Sequence, residues 1–200
     1  MHDAYIDAYD PTLEGEPHPA STHTVTLTTH IHFRSRIDTY RKSVVINSEV
    51  IILECLDIGG QEDYTILHER ASRTGDGFFL VYSVTSRASL QSIVDFHQLI
   101  QVHGKDPKNI PVIILGNKCD LKGEREVSFE EGQQLAGELG CKFYETSAKV
   151  GTSVDAAYMD LARQSLIAMR ERAAREFSSR ARPLGSEGSP SKRLDRCIIA

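Results

Sequence analysis

Asn117-Lys118-Cys119-Asp120, which follows the apolar run Pro-Val-Ile-Ile-Leu at 111–115, combines the residue types needed to hold guanine. An ionised carboxylate only accepts hydrogen bonds, so Asp120 could take both donors of guanine's N1/N2 edge, a pattern adenine does not present. Asn117 could meet the base from the other side. The aliphatic stem of Lys118 could lie along the ring face while its ammonium stays in water. All three would act from one short loop. A polar turn after a buried strand is also common, so the motif gains weight from its neighbours in the sequence.

Two further segments provide that context. Asp57-Ile58-Gly59-Gly60-Gln61-Glu62 follows the apolar stretch Val50–Leu56, and Thr146-Ser147-Ala148-Lys149 follows Cys141–Tyr144 and Glu145. Each lies just beyond the carboxyl end of a predicted strand, where open α/β sheets bind their ligands.

The elements that must position these loops can be read from hydrophobic period. From residue 43 onward apolar strands alternate with amphipathic helices, which implies an α/β fold: a mostly parallel sheet with helices on both faces. Ser43–Asn47 and Val50–Asp57 read as an antiparallel hairpin, and Gly77–Val84, Pro111–Asn117 and Lys142–Glu145 as three short strands. Helices are predicted near 89–102 and 128–140. The second opens on a capping box of Ser128 and Glu131 and stops at Gly140. A last helix begins near Ser153, with Val154, Ala157, Tyr158, Leu161, Ala162 and Met169 on its core stripe.

The order and spacing of the three motifs resemble the Ras-like small GTPases (Ras subfamily) from about residue 50 to the C-terminus. The resemblance implies a signalling switch that binds GTP and GDP and hydrolyses GTP with Mg2+. It gives base recognition to Asn117, Lys118, Asp120, Ser147, Ala148 and Lys149, with the Ala148 N–H facing the guanine carbonyl. It also implies that Asp57 serves Mg2+ through water, Gly60 senses the γ-phosphate and Gln61 orients the attacking water. Tyr9-Asp10-Pro11-Thr12-Leu13-Glu14 is similar to the family's first switch, in which Thr12 would be a second Mg2+ ligand and a nucleotide contact. Ile58 and Gly59 stand where the family has Thr and Ala, a change that bears on catalytic rate.

The resemblance breaks near the N-terminus. Asp38-Thr39-Tyr40-Arg41-Lys42 looks like the continuation of the first switch, yet residues 15–37 stand between it and Glu14. This insert, rich in Thr, His and Pro, is expected to be irregular. Val25, Leu27, Ile31 and Phe33 lie at even spacings that permit a strand, but an unsupported one would tend to aggregate. Its histidines, His18, His23, His30 and His32, have neither cysteines nor carboxylates among them and make a poor metal site. No G-x-x-x-x-G-K-[ST] phosphate loop occurs in the 200 residues; Gly104-Lys105 is followed by Asp106. By resemblance, the strand before that loop would lie centrally in the sheet. Its absence leaves two apolar edges facing a gap, and the chain reads as N-terminally incomplete.

Composition agrees with one domain and a tail. Apolar residues make up 40% of the 200, enough for a core, and a net charge of −5 leaves no basic field for nucleic acid. The four cysteines have no metal-ligand spacing, and no secretory signal occurs. Cys119 reads as a small loop side chain or a reactive thiol. Residues 1–14 form a partial first switch and 38–175 the GTPase-like domain. Residues 176–200 form a polar tail, expected to be disordered, that ends in Cys197-Ile198-Ile199-Ala200. This C-a-a-X terminus predicts a farnesyl group on Cys197, with Arg180, Arg182, Lys192, Arg193 and Arg196 as a second signal for anionic lipid. The resulting expectation is a lipid-anchored protein at the cytosolic face of the plasma or another membrane, meeting effectors, exchange factors and GTPase-activating proteins. The missing phosphate loop leaves two alternatives: an interaction protein without stable nucleotide, or the product of an incomplete gene model.

Overall fold

A computed structural model describes residues 23–31, 37–59 and 65–180. Among them lie strands β1 (His23–Ile31), β2 (Ile37–Ile46), β3 (Glu49–Gly59), β4 (Gly77–Ser83), β5 (Val112–Asn117) and β6 (Lys142–Glu145). The helices are α1 (Thr65–Thr74), α2 (Arg87–His103), α3 (Phe129–Glu138) and α4 (Val154–Arg180). One sheet runs in the order β2-β3-β1-β4-β5-β6, parallel throughout except for β2 against β3. The α/β class with a mostly parallel sheet is therefore as expected.

The centre of the sheet is not. Within the insert that was expected to be irregular, His23–Ile31 forms β1, which fills the slot expected to stand empty between β3 and β4. It pairs with β3 from His23 opposite Ile51 to Ile31 opposite Gly59, and with β4 from Leu27 opposite Gly77 to Ile31 opposite Val81. Six of its nine residues (Thr24, Val25, Thr26, Thr28, Thr29 and Ile31) are β-branched and favour extended backbone. Both neighbours would otherwise leave a row of backbone groups unpaired, and each ladder hydrogen bond is worth about 1 kcal/mol net. A strand paired along both edges no longer offers the template for aggregation that a lone one would.

Successive residues of β4 point to opposite faces and feed two cores. Phe79 joins Ile46, Ile51, Leu53, Ile113 and Leu115 beneath Ala157, Leu161, Ala162 and Leu166 of α4. Phe78, Leu80 and Tyr82 join Val112 and Ile114 beneath Leu90, Ile93 and Ile100 of α2 and Ala136 of α3. The capping box is present: the Ser128 hydroxyl accepts from Glu131 N, and Glu131 accepts from Ser128 N at 2.9 Å. Gly140, at φ +68, turns the chain out of α3 as expected. Helix α1 has no counterpart in the sequence reading.

Helix α4 runs to Arg180, five residues (176–180) into the expected tail. Ala, Glu and Arg favour its last turns, and its arginines tie it to the base of the domain: Arg170 to Glu49, Arg172 to Asp76 and Arg175 to Asp106. Asp76 is buried and also accepts from Lys105 Nζ at 2.9 Å, so one carboxylate joins the ends of α2 and α4 to the start of β4. Asp76→Ala would leave two cations facing each other without a counter-charge. It is expected to cost about 2–3 kcal/mol and to lower the Tm by roughly 5–10 °C, as read by thermal denaturation.

Candidate functional site

The carboxyl ends of β5 and β6 bring the two polar loops together. Beyond Asn117 the chain turns through Lys118, a non-glycine residue at φ +65. This reversal lets Cys119 N donate to Thr146 O at 3.1 Å, while Thr146 N donates to Gly116 O at 2.9 Å. The two loops are thus cross-linked through their backbones before any side chain is considered.

Side chains then fix the polar groups. Asn117 Oδ1 accepts from Ala148 N at 3.1 Å and from the Thr146 hydroxyl at 3.5 Å, which sets the orientation of its carboxamide. The buried Ser147 hydroxyl donates to Asp120 Oδ1 at 2.5 Å and accepts from Val150 N. That hydrogen bond, helped by Lys149 and Lys118, holds the Asp120 carboxyl below the usual carboxylate range, so it stays an acceptor. One carboxylate oxygen is thereby committed to Ser147, and the other remains to read a ligand. Lys118, Ala148 and Lys149 are exposed beside it.

Two supports were not legible as site residues. Arg125, in the turn after Asp120, makes a bidentate pair with Glu145 at 2.5 and 2.9 Å and donates to Val127 O at 3.0 Å. It clamps the start of the 145–149 loop; the one sequence signal was Glu145 beside the motif. From below, the fully buried Tyr82 packs against Gly116, where a Cβ would stand 2.8 Å from its hydroxyl oxygen. Cys119 is half-buried, and burial with Glu145 and Asp120 nearby pushes its thiol up, which favours the small-side-chain reading over a reactive thiol.

Asp57 lies at the same end of the sheet, but on β3, three strands from β5 in the order β3-β1-β4-β5, or about 14 Å at the usual spacing. It is the one candidate Mg2+ ligand among the described residues, which contain no group of three or more potential ligands. A single carboxylate does not hold Mg2+, which takes further oxygens from phosphates or other side chains. Thr12, Gly60, Gln61 and Cys197 lie outside the described residues.

A mostly parallel sheet that brings two polar loops together at the carboxyl ends of β5 and β6 defines an α/β protein of the kind whose ligands bind beyond the strand ends. The family model described as "Ras family" matches residues 24–167, beginning inside β1 and ending inside α4. The chain belongs to the Ras family. It is 44% identical over 160 residues to a "Ras-like protein" of Laccaria bicolor, covering 80% of this chain and 65% of that protein. It is also 44% identical over 159 residues to "Ras-like protein 1" of Saccharomyces cerevisiae (strain ATCC 204508 / S288c), covering 80% of this chain and 44% of that one. The match thus spans less than two thirds of either relative.

Proposed function

We propose that this chain binds guanine nucleotides and works as a Ras-type GTP-binding and GTP-hydrolysing switch in signal transduction at the cytosolic face of a membrane. The observation that carries the reading is the Asn117–Ala148 and Asp120–Ser147 pairing, which presents a fixed carboxamide and an ionised carboxylate from one cross-linked pair of loops. Asp57, set about 14 Å along the sheet end, suits the far end of an extended nucleotide. Gln61 would orient water and Gly60 would meet the γ-phosphate, with Thr12 and Asp57 serving Mg2+. The test is displacement of a fluorescent GDP analogue: guanosine should compete and adenosine at the same concentration should not. Equal displacement by both would end this reading.

Farnesylation of Cys197 is the anchoring part of the proposal, with the basic tail residues and anionic lipid as the second contact. Among the described residues no helix is long and apolar enough to cross a membrane. Each buried prenyl CH2 contributes about 0.8 kcal/mol, which the arginines and lysine cannot replace. Cys197→Ser is expected to move the protein from the membrane pellet to the soluble fraction of a eukaryotic lysate; an unchanged distribution would refute the anchor. Effectors, exchange factors and GTPase-activating proteins are the partners this reading implies.

A second reading is favoured by a specific observation: only residues 32–36 separate the central strand β1 from β2. On that reading the chain is an interaction protein of the Ras family that holds nucleotide weakly.

A further inference from the structure

β6 is an edge of the sheet, four residues long and paired on one side, from Lys142 opposite Ile113 to Glu145 opposite Gly116. A short edge strand with one neighbour frays more readily than a strand held on both sides. Yet the loop that follows β6 carries the groups that orient both base readers: Thr146 and Ala148 hold Asn117, and Ser147 holds Asp120. Movement at the end of β6 would misdirect the two readers together.

Arg125 ties that end to the rigid part of the fold. Its two terminal nitrogens donate to the two Glu145 carboxylate oxygens at 2.5 and 2.9 Å, and one of them also donates to Val127 O at 3.0 Å. The post that carries Arg125 is itself fixed: Glu126 N and Val127 N both donate to Val84 O, at 2.9 and 3.0 Å, and Val84 and Val127 are fully buried. Val84 N in turn donates to Asn117 O at 2.9 Å. The strut therefore runs from backbone that holds the Asn117 loop to the residue that launches the 146–149 loop. The side chains of Arg125 and Glu145 are 25% and 17% exposed, so their forked pair is stronger than one in open water, and the fork fixes direction as well as distance. After burial itself, Glu145 does most to push the Cys119 thiol up and Arg125 opposes it, which places the pair against the middle of the base loop.

We propose that the Arg125–Glu145 pair is the positioning unit for guanine selectivity: it holds the end of β6 so that Asn117 and Asp120 aim their hydrogen-bonding atoms at one base. The proposal rests on the base reading given above. Both residues act through Thr146, Ser147 and Ala148. Without the pair, the 145–149 loop shifts against the 117–120 loop. Hydrogen bonds weaken steeply with angle, so guanine, which has the most contacts to lose, loses most of its advantage. Arg87 offers a matched comparison. It forks onto Glu131 at 2.7 and 3.3 Å and donates to Glu126 O at 2.7 Å, but it joins the starts of α2 and α3. If Arg125 served stability alone, the two arginines would behave alike.

The experiment is displacement of a fluorescent GDP analogue from the 200-residue chain by guanosine, inosine and adenosine, with thermal denaturation of each variant. Nucleosides carry no phosphate, so their ratios report the base loops. Inosine lacks the 2-amino group that Asp120 would bind, a hydrogen bond to a charged acceptor, so the wild type is expected to prefer guanosine at least about tenfold. Arg125→Met and Glu145→Met are each expected to cut that preference to about threefold or less, and the double variant no further. Arg125→Lys keeps the charge without the fork and should fall between. Arg87→Met is expected to lower the Tm to a similar extent and to leave the preference unchanged. Should Arg125→Met not fold, the same comparison runs with Arg125→Lys against Arg87→Lys. If the Arg125 variant keeps the wild-type preference, or the Arg87 variant loses it equally, the pair serves stability alone and the inference falls while the base reading stands. Multiplicative losses in the double variant would show two separate roles and overturn the pair as a unit. If the wild type binds guanosine no better than adenosine, the base reading itself fails and the inference fails with it.

Discussion

Asp120→Asn is expected to turn the base loop from guanine towards xanthine, changing the ratio of the two affinities by at least about 100-fold. The structure dictates which way the new carboxamide must face. Ser147 donates its hydroxyl hydrogen to Asp120 Oδ1, so the carbonyl oxygen of Asn would keep that place and its NH2 would take the place of Oδ2. Guanine then meets a donor with its own two donors. Xanthine has a carbonyl where guanine has its amino group and can accept from the same NH2. Competition of guanosine and xanthosine for wild-type and mutant protein measures the ratio. An unchanged ratio would mean that Asp120 does not read the base and that the loop is only a turn.

The same carboxylate sets the acid limit of recognition. Its folded-state pKa lies below the ordinary value, so the ionised, accepting form is fully present above the ordinary carboxylate pKa and is lost only as pH falls through the lowered one. Guanosine affinity in the wild type is expected to be flat from neutral pH down to about 4 and to fall below that.

Gly132→Ala is expected to destabilise the domain by about 2 kcal/mol, although alanine is the better helix former by about 1 kcal/mol. A Cβ there would stand 2.2 Å from the Tyr82 hydroxyl oxygen and 2.7 Å from Cζ of Phe143. Neither ring can yield easily. Tyr82 is 1% exposed and confined by Gly116 on its other side, and Phe143 stacks on Tyr82 and tilts against Phe129. The Tyr82 hydroxyl is buried with no hydrogen-bond partner among the described residues, and its pKa is raised chiefly by that burial. Tyr82→Phe is therefore expected to stabilise the protein by about 1 kcal/mol by removing an unsatisfied polar group. Combined with Gly132→Ala it should recover more than that, because the closest clash disappears with the oxygen. Urea denaturation of the two single mutants and the double mutant gives the coupling; strictly additive effects would show that the hydroxyl is not what alanine meets.

Much of the proposed base site is legible because its chemistry sits in contiguous residues. Asn117, Lys118 and Asp120 occupy one turn, and Ser147, Ala148 and Lys149 another, and the residue types alone state what they can donate or accept. The strands that end at those turns were legible too, since Phe78 to Tyr82 and Val112 to Leu115 are apolar runs buried on both faces. Helix α1 has no apolar stripe legible in the sequence because its mean character is polar: among residues 68–74, His68, Ala71 and Ser72 are buried, and two of these three are not hydrophobic.

The sequence by itself determined the α/β alternation, the capping box of α3, and the two loops with the hydrogen-bonding capacity to read guanine. These follow from periods and residue types that act over a few positions. Tertiary structure decided the rest. Whether His23–Ile31 became a strand depended on two vacant parallel edges, supplied by residues 49–59 and 77–83, that no local propensity could announce. The docking of α4 through Arg170, Arg172 and Arg175 depended on carboxylates at positions 49, 76 and 106, which only the folded chain brings together beneath it. The height of the base loop rests on Tyr82, Gly116 and Gly132 meeting from β4, β5 and α3. In each case the deciding contact joins residues distant in sequence, and its energy exists only once the chain has closed the loops between them.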